Sequence, residues 1–333
     1  MENSENNSFL YVWSVAYSDE FKAGFDAITQ QVFEGDYGRN IIRHIRKLAK
    51  IIDENKIEII QTHFFFGELL GGILKVVRPK VKLIVSFEGA MSAGYIKRSI
   101  QRNIYKSVDA FIYISNYVKE EKEKVFPQLK KSETIVIYNG TNKLNVDENL
   151  DKNPKNNFSL LSVSSLISIK NITVLIDVMQ LLSTNKHQDI HLFIAGDGAQ
   201  KSELEEKVKS NKLENFVHFL GKQKAIGNLL ETADVLVHPC YIEGFGLSVV
   251  EAMMAEKPVI VSNSGALPEI VEHKKTGFLV NPFKAEDWQN AILELKKNKE
   301  LANEIAKNAR IKAEQEFSIK NFANNYNLFY QNL

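Results

Sequence analysis

The chain of 333 residues carries 42 Lys plus Arg against 41 Asp plus Glu, is 44% hydrophobic and 10% aromatic, and holds one cysteine, Cys240. That length fits two domains better than one, the apolar share excludes a natively unfolded chain, and a net charge of +1 excludes a strong nucleic-acid signature for the whole chain. The lone cysteine excludes an internal disulfide and a cysteine-based zinc cage, no apolar run reaches the roughly 18–20 residues that span a bilayer, and the head MENSENNSF lacks a signal-peptide pattern, so a cytoplasmic protein is expected.

In chain order, Phe9–Tyr17 and a stretch near Ala27–Phe33 are strand-like. Residues 37–106 then carry 14 bases, from Arg39 to Lys106, against 5 acids, Asp53, Glu54, Glu58, Glu68 and Glu88, a local excess of positive charge hidden by the totals. Within it, residues 38–50 place Ile41, Ile42, Ile45, Leu48 and Ala49 on one side of a helix and Arg39, Arg43, Arg46, Lys47 and Lys50 largely on the other. An isolated peptide of this kind lies on a membrane surface. Inside a folded domain the apolar side covers a sheet and the bases are solvated, which is the reading preferred here. The two combine if Arg98, Arg102, Lys106 and their neighbours also meet an anionic membrane.

Short β-branched runs at Ile57–Gln61, Val81–Ser86, Ala110–Ile114 and Thr134–Tyr138 alternate with segments of helical period. Such alternation implies a parallel sheet covered by helices on both faces. The Asn, Asp and Lys-rich run from Asn139 to Asn157 reads as a linker. A second series follows: strands at Phe158–Val163, His191–Ala195, Val217–Leu220, Val235–His238, Val259–Ser262 and Gly277–Val280, with helices from Ile172, Gln200 and Leu247. Helices at Ala285–Lys297, Leu301–Phe317 and Ile319–Tyr330 close the chain. The expected organisation is a first α/β domain over 1–145, a linker over 146–157, a second over 158–315 and a last helix over 316–333 that returns toward the first. Ligands of such doubly wound domains bind at the carboxyl ends of the strands, and a cleft between the two is the default site.

The richest segment for chemistry is HPCYIEGFGLSVVEAMMAEKPVIVSNSGALPEIV, residues 238–271. Gly244 and Gly246 let backbone approach a ligand, and the helix starting at Leu247 offers free amides to phosphate. Glu243 and Glu251 flank that start and would repel a phosphate if they faced it. They are therefore read as hydroxyl acceptors, one for ribose and one for a sugar, which makes the ligand a nucleotide sugar. The alternative is an acid favoured by the helix dipole and a solvent-facing glutamate. His238 and Cys240 read as packing around a strand end, Gly196-Asp197-Gly198 as a strand-to-helix turn, and Pro268 with Glu269 as a helix cap.

The strings EGFGLSVVEAM, KPVIVSNSGALPEIV and TGFLVNP resemble the glutamate–seven residues–glutamate signature of retaining GT-B glycosyltransferases, glycosyltransferase family 4. In the first half IIQTHFFFGELLGG, FIYISNYVKE and IVIYNGTN are similar to the family's strand ends, so the resemblance spans roughly residues 57 to 282. It implies a GT-B fold, two Rossmann-like domains with an interdomain cleft. It further implies that Glu251 binds the donor ribose, that Glu243 contacts the donor sugar, that the amides of Phe245, Gly246, Leu247 and Ser248 hold sugar and diphosphate, and that Glu269 lies near the nucleotide. Lys170 matches the lysine of the family's diphosphate-binding Arg-Lys pair, but Ser165 stands at the arginine position. Glu88 stands where many members have a histidine beside the transferring sugar, and His63 falls on the acceptor side. Phe9–Tyr17 and Ala27–Phe33 correspond to the family's second and third strands, which leaves its opening strand, glycine-rich loop and helix without a counterpart.

The activity so implied is retaining, metal-independent transfer of a hexosyl unit from a nucleotide diphosphate sugar, by family frequency a UDP-sugar, to a saccharide or lipid-linked saccharide in polysaccharide synthesis. No cofactor is expected, and the partners are donor, acceptor and an anionic membrane met peripherally through the first domain. A catalytically weakened GT-B protein serving as a nucleotide-sugar-binding or partner subunit is the alternative that Ser165, Glu88 and the short start favour. A phosphorylase or an epimerase is a third reading, and no pyridoxal-lysine environment is evident for the former.

Overall fold

A computed structural model of the chain describes residues 9–12, 31–34, 40–90, 94–147 and 157–333. Strands β1 (Phe9–Val12) and β2 (Gln31–Glu34) pair in parallel, Phe9 opposite Gln31. They fall on the two strand-like opening stretches, whose remainders, Trp13–Tyr17 and Ala27–Gln30, lie outside the described residues, as does most of the expected linker.

The chain divides into two compact units, one of Met1–Ser86, Ser92–Phe111 and Lys131–Glu133, the other of Phe87–Met91, Ile112–Lys130 and Thr134–Leu333. Helix α1 (Ile41–Asn55) begins where Asn40 accepts a hydrogen bond from the Arg43 amide and ends at Lys56 in the left-handed region. Its Ile45, Leu48 and Ala49 pack on a core of Ile52, Leu74 and Val81, while Arg43, Arg46, Lys47 and Lys50 are exposed. The apolar side of this amphipathic segment is therefore spent on the core and its described bases are solvated, although Ile42 faces outward and Arg39 lies outside the described residues.

Strands β3 (Ile59–His63), β4 (Lys82–Phe87), β5 (Ala110–Tyr113) and β6 (Glu133–Val136) form a sheet in that order, with His63 opposite Ser86. Between them run α2 (Phe64–Val77), α3 (Tyr95–Ile104) and α4 (Asn116–Val125). Strand β3 starts two residues later than its apolar run because Ile57 is still donating its amide to Ile52 in the exit turn of α1.

The second sheet is wholly parallel, ordered β12-β11-β10-β7-β8-β9. Its strands are β7 (Phe158–Val163), β8 (Ile190–Ala195), β9 (Val217–Gly221), β10 (Val235–His238), β11 (Val259–Ser262) and β12 (Phe278–Val280). Its helices are α5 (Ile172–Thr184), α6 (Lys201–Ser210), α7 (Ile226–Thr232), α8 (Leu247–Met254), α9 (Leu267–Ile270), α10 (Ala285–Lys297), α11 (Lys299–Glu316) and α12 (Ile319–Gln331). A single core joins Leu160, Leu192, Val237 and Ile260 of the strands to Leu175, Met179, Trp288 and Ile305 of the helices. The order of strands reverses at the adjacent pair β7 and β10, and in open α/β sheets ligands sit outside the carboxyl ends of such a pair. The entry to α12 is tied to Thr141, which exchanges backbone hydrogen bonds with Phe317 and Ile319. No described helix is long and apolar enough to cross a membrane.

Candidate active site

The chain leaving β7 makes a short turn, Ser168–Lys170, and the chain leaving β10 makes an irregular loop before α8. These two segments meet over the switch point. Lys170 Nζ lies 2.7 Å from Glu243 Oε2, and His238 Nε2 lies 2.8 Å from the same oxygen. An ionised carboxylate only accepts, so Nε2 carries the hydrogen of that imidazole. Burial pushes the Glu243 carboxyl up, but the hydrogen bond and charge of His238 and the ammonium of Lys170 outweigh it and hold the pKa at about 2. Glu243 is thus ionised throughout the neutral range and already paired with the Lys170 ammonium and the His238 N–H.

The loop carrying Glu243 is fixed by hydrogen bonds to its backbone. The Tyr241 amide donates to the Ile169 carbonyl at 3.1 Å, the Ser264 hydroxyl donates to the Tyr241 carbonyl at 2.8 Å, and the Ala266 amide donates to the Glu243 carbonyl at 2.9 Å. Gly265 has φ 60° and lies so close that a Cβ there would sit 2.6 Å from the Glu243 carbonyl oxygen. Gly246, with φ 109°, turns the chain into α8, whose first amides have no partner within the helix. Phe245 is buried, and the amides of Leu247 and Ser248 belong to this start, an anion site by its dipole and its donors.

Ser115, fully buried at the N-cap of α4, donates its hydroxyl to the Gly244 carbonyl at 2.7 Å and accepts from the Val118 amide at 3.1 Å. It anchors the glycine loop through a residue that the sequence marked only as a strand-serine-helix. Ser115→Ala is expected to cost about 1–2 kcal/mol of stability through the lost cap and hydrogen bond, and to lower turnover roughly tenfold as Gly244 loosens. Melting temperature and initial rate measured on the same preparation check both.

Glu251 stands one turn into α8, half-buried, and its carboxylate has no hydrogen-bond or ionic partner among the described residues. Burial raises its pKa above the ordinary range. A buried acceptor left open in this way is costly unless a ligand supplies donors.

Other expected site residues fall differently. Glu269, expected beside the nucleotide, has both carboxylate oxygens engaged by residues of α4 and by Tyr138. Its Oε2 accepts from the Asn116 amide, the Asn116 side-chain amide and the Tyr138 hydroxyl, and its Oε1 from the Tyr117 amide, at 2.7–3.0 Å. With these four donors Glu269 caps the start of α4. Burial and Glu269 push the Tyr138 hydroxyl up to about 12, keeping it a donor. Lys170, the one member of the family's diphosphate-binding Arg-Lys pair that the sequence retains, is joined to Glu243. Ser165 is exposed after β7, and the Leu166 amide beside it donates to the Asp197 carbonyl, so the glycine turn at 196–198 packs on this loop as a structural element. Glu88 is half-buried, and its carbonyl with Gly89 lies against Gly244. His63 is exposed at the end of β3, in the other unit, beside Gln61.

His238 is the residue that sequence reasoning undervalued: a histidine five positions before a glutamate, at a strand end, was its signal. Cys240 donates to the Ile242 carbonyl, and burial followed by the Glu243 charge pushes its thiol up to about 12. His238, Cys240 and Glu243 offer ligand atoms within 4.8 Å of one another. A protonated thiol and a carboxylate oxygen already shared by the Lys170 ammonium and the His238 N–H are poor cation ligands.

Residues 145–312 match the family model described as glycosyl transferases group 1, and residues 10–143 match glycosyltransferase family 4. An uncharacterized glycosyltransferase of Methanocaldococcus jannaschii is 30% identical over 272 residues, which cover 79% of this chain and 73% of that protein. The UDP-Gal:alpha-D-GlcNAc-diphosphoundecaprenol alpha-1,3-galactosyltransferase of Escherichia coli is 26% identical over 299 residues, 84% of this chain and 76% of that one. The crystal structure of Anabaena HepE in complex with UDP and glucose is similar at a TM-score of 0.82 and 22% identity, covering 98% of this chain and 92% of that one. That likeness is one of fold, GT-B.

Proposed function

The chain belongs to the glycosyl transferases group 1, with a first half of glycosyltransferase family 4, and on that premise we propose that it transfers a hexosyl unit from a UDP-sugar to a saccharide or lipid-linked saccharide hydroxyl, in polysaccharide synthesis. The observation that carries the donor reading is Glu251, a half-buried carboxylate without a partner among the described residues, one turn into the helix whose amides await an anion. A vicinal diol offers two donors to one carboxylate, and a diphosphate on the adjoining amides puts a ribose within its reach.

In this reading the helix start and Lys170 stabilise the departing diphosphate, and Glu243 orients the sugar hydroxyls. Lys170 divides its charge between Glu243 and the leaving group, so the developing phosphate charge draws the ammonium away from a carboxylate that His238 still holds. The departing phosphate accepts the proton of the attacking hydroxyl, with retention at the anomeric carbon and no metal. Two similar proteins support the substrate class: the E. coli relative is named for transfer from UDP-Gal to a diphosphoundecaprenol-linked sugar, and HepE was crystallised with UDP and glucose.

Incubation with a panel of UDP-, GDP- and ADP-sugars should release nucleoside diphosphate from a UDP-sugar, at a rate raised by a lipid-linked acceptor. Binding of donor without release from any of the panel, with or without acceptor, would instead support the partner-subunit reading. That second reading is favoured by the exposed Ser165, which leaves a hydroxyl where the family pattern has an arginine.

A further inference from the structure

The sheet of the second unit ends at β12, and residues of that edge strand and of α10 line a cleft of about 490 Å³. Phe278, Leu279 and Pro282 give it an apolar lining. Its polar lining is made of amides and a carboxylate: Asn263 follows β11, Asn281 follows β12, and Asp287 and Asn290 stand on α10. The side chains of Asn263, Asp287 and Asn290 have no hydrogen-bond partner among the described residues. Asn281 uses only its Oδ1, which accepts from the Phe283 amide at 2.9 Å.

This lining selects among ligands. Lys274 Nζ lies 2.9 and 3.2 Å from the two oxygens of Glu294, which cancels that pair and leaves Asp287 as the uncompensated charge, so phosphate and other anions are repelled. His273 Nδ1 accepts from the Leu279 amide at 3.1 Å, so the imidazole is neutral and its bond closes the edge of β12 to a pairing strand. Among the described residues, three clustered metal-ligating groups occur only at His238, Cys240 and Glu243, away from this cleft. A neutral ligand rich in hydroxyls fits what remains, because each amide both donates and accepts, a carboxylate accepts twice, and the carbon-bound hydrogens of a pyranose cover the apolar lining.

The cleft is tied to the donor site. The Pro282 carbonyl accepts from the Asn171 side chain, one residue after Lys170, at 2.7 Å. Phe283 is 70% exposed, and its ring centre lies 5.5 Å from that of Tyr241, two positions before Glu243. An aromatic surface therefore leads from the end of β12 to the loop that carries Glu243.

We propose that this cleft is a second saccharide site, in which Asn263, Asn281, Asp287 and Asn290 hydrogen-bond the hydroxyls of a neutral pyranosyl unit. It rests on the glycosyl-transfer reading only for the source of that unit, a saccharide chain that the enzyme extends.

The test is saturation-transfer difference NMR of the full chain titrated with glucose, galactose, N-acetylglucosamine, maltose, cellobiose and lactose, with and without saturating UDP. Binding of at least one of these sugars is expected, and it should persist when UDP fills the donor site. Asn263→Ala with Asn290→Ala should weaken it roughly tenfold or more through two lost hydrogen bonds. Asn290→Arg, which sets a long side chain at an exposed helical position in the lining, should weaken it at least as much. UDP binding by calorimetry should stay at the wild-type value in both variants and show that they are folded. No binding of any of these sugars, loss of binding when UDP is added, or wild-type binding by either variant overturns the proposal. Saccharide binding without nucleoside diphosphate release from any donor would leave the cleft standing and remove the transfer reading instead.

Discussion

Glu251→Gln is expected to weaken UDP binding by about a hundredfold while raising the melting temperature. The two effects have one cause. Without a ligand, burial penalises the charged carboxylate of Glu251, and no cation or donor among the described residues offsets the penalty. A carboxyl whose folded pKa is raised contributes stability that is fully present below its unfolded value and is lost as pH rises through the folded value. At neutral pH the penalty is therefore complete, and a neutral amide of the same shape removes it. With a nucleotide bound, the same carboxylate accepts two ribose hydroxyls, each worth about 1.5 kcal/mol to a charged acceptor, and losing roughly 3 kcal/mol is about a hundredfold in affinity. Calorimetry with UDP and a thermal melt of the apo protein read the two effects separately. Wild-type affinity should also fall as pH is lowered through the raised pKa of Glu251, while the glutamine variant stays flat. Unchanged affinity for UDP would reject the ribose assignment, and a lowered melting temperature would mean that Glu251 has a stabilising partner.

The second unit was legible at nearly every strand, since buried parallel strands are short β-branched runs bounded by loop residues, and β7, β10 and β11 begin and end where those runs do. The displaced start of β3 shows the limit of this signal: Ile57 has the right side chain for a strand, but the left-handed cap at Lys56 draws it into the end of α1. The carboxylates at 243 and 251 were legible because their neighbours in sequence make the helix start that gives them meaning. The partner of Glu243 was not. Lys170 lies 73 positions earlier, and the two meet only because β7 and β10 are adjacent in the sheet. The partners of Glu269 were hidden for the same reason in reverse: nothing near it in sequence announces that α4, 153 positions earlier, would take both its oxygens. Apolar periodicity fixes which face is buried, and strand order alone decides which polar groups then meet.

The Lys170–Glu243 pair separates stability from catalysis in a way that a double substitution exposes. Lys170→Met should cost about 3 kcal/mol, because it withdraws the ammonium from a carboxylate that is only 13% exposed and leaves it the His238 N–H alone. Glu243→Gln should cost less, since the lysine it releases reaches solvent more readily than a buried acid does. The double variant should recover most of the loss, as a neutral pair of similar volume has no charge to desolvate. Acid titration sharpens the case. A carboxyl lowered from 4.5 to about 2 contributes stability that is complete above pH 4.5 and lost as pH falls through that interval, on the order of 3 kcal/mol at 1.36 kcal/mol per pKa unit. The double variant should be flat across that window while the wild type declines. Catalysis follows the opposite logic: the leaving diphosphate needs the ammonium and the donor sugar needs the carboxylate, so restoring folding restores neither. Both singles and the double should lose about a hundredfold or more in turnover, and the double should be the stablest of the inactive three. Recovery of turnover in the double would show that the pair serves only to hold the loop, whereas a stability loss equal to the sum of the singles would show that the two charges do not depend on each other.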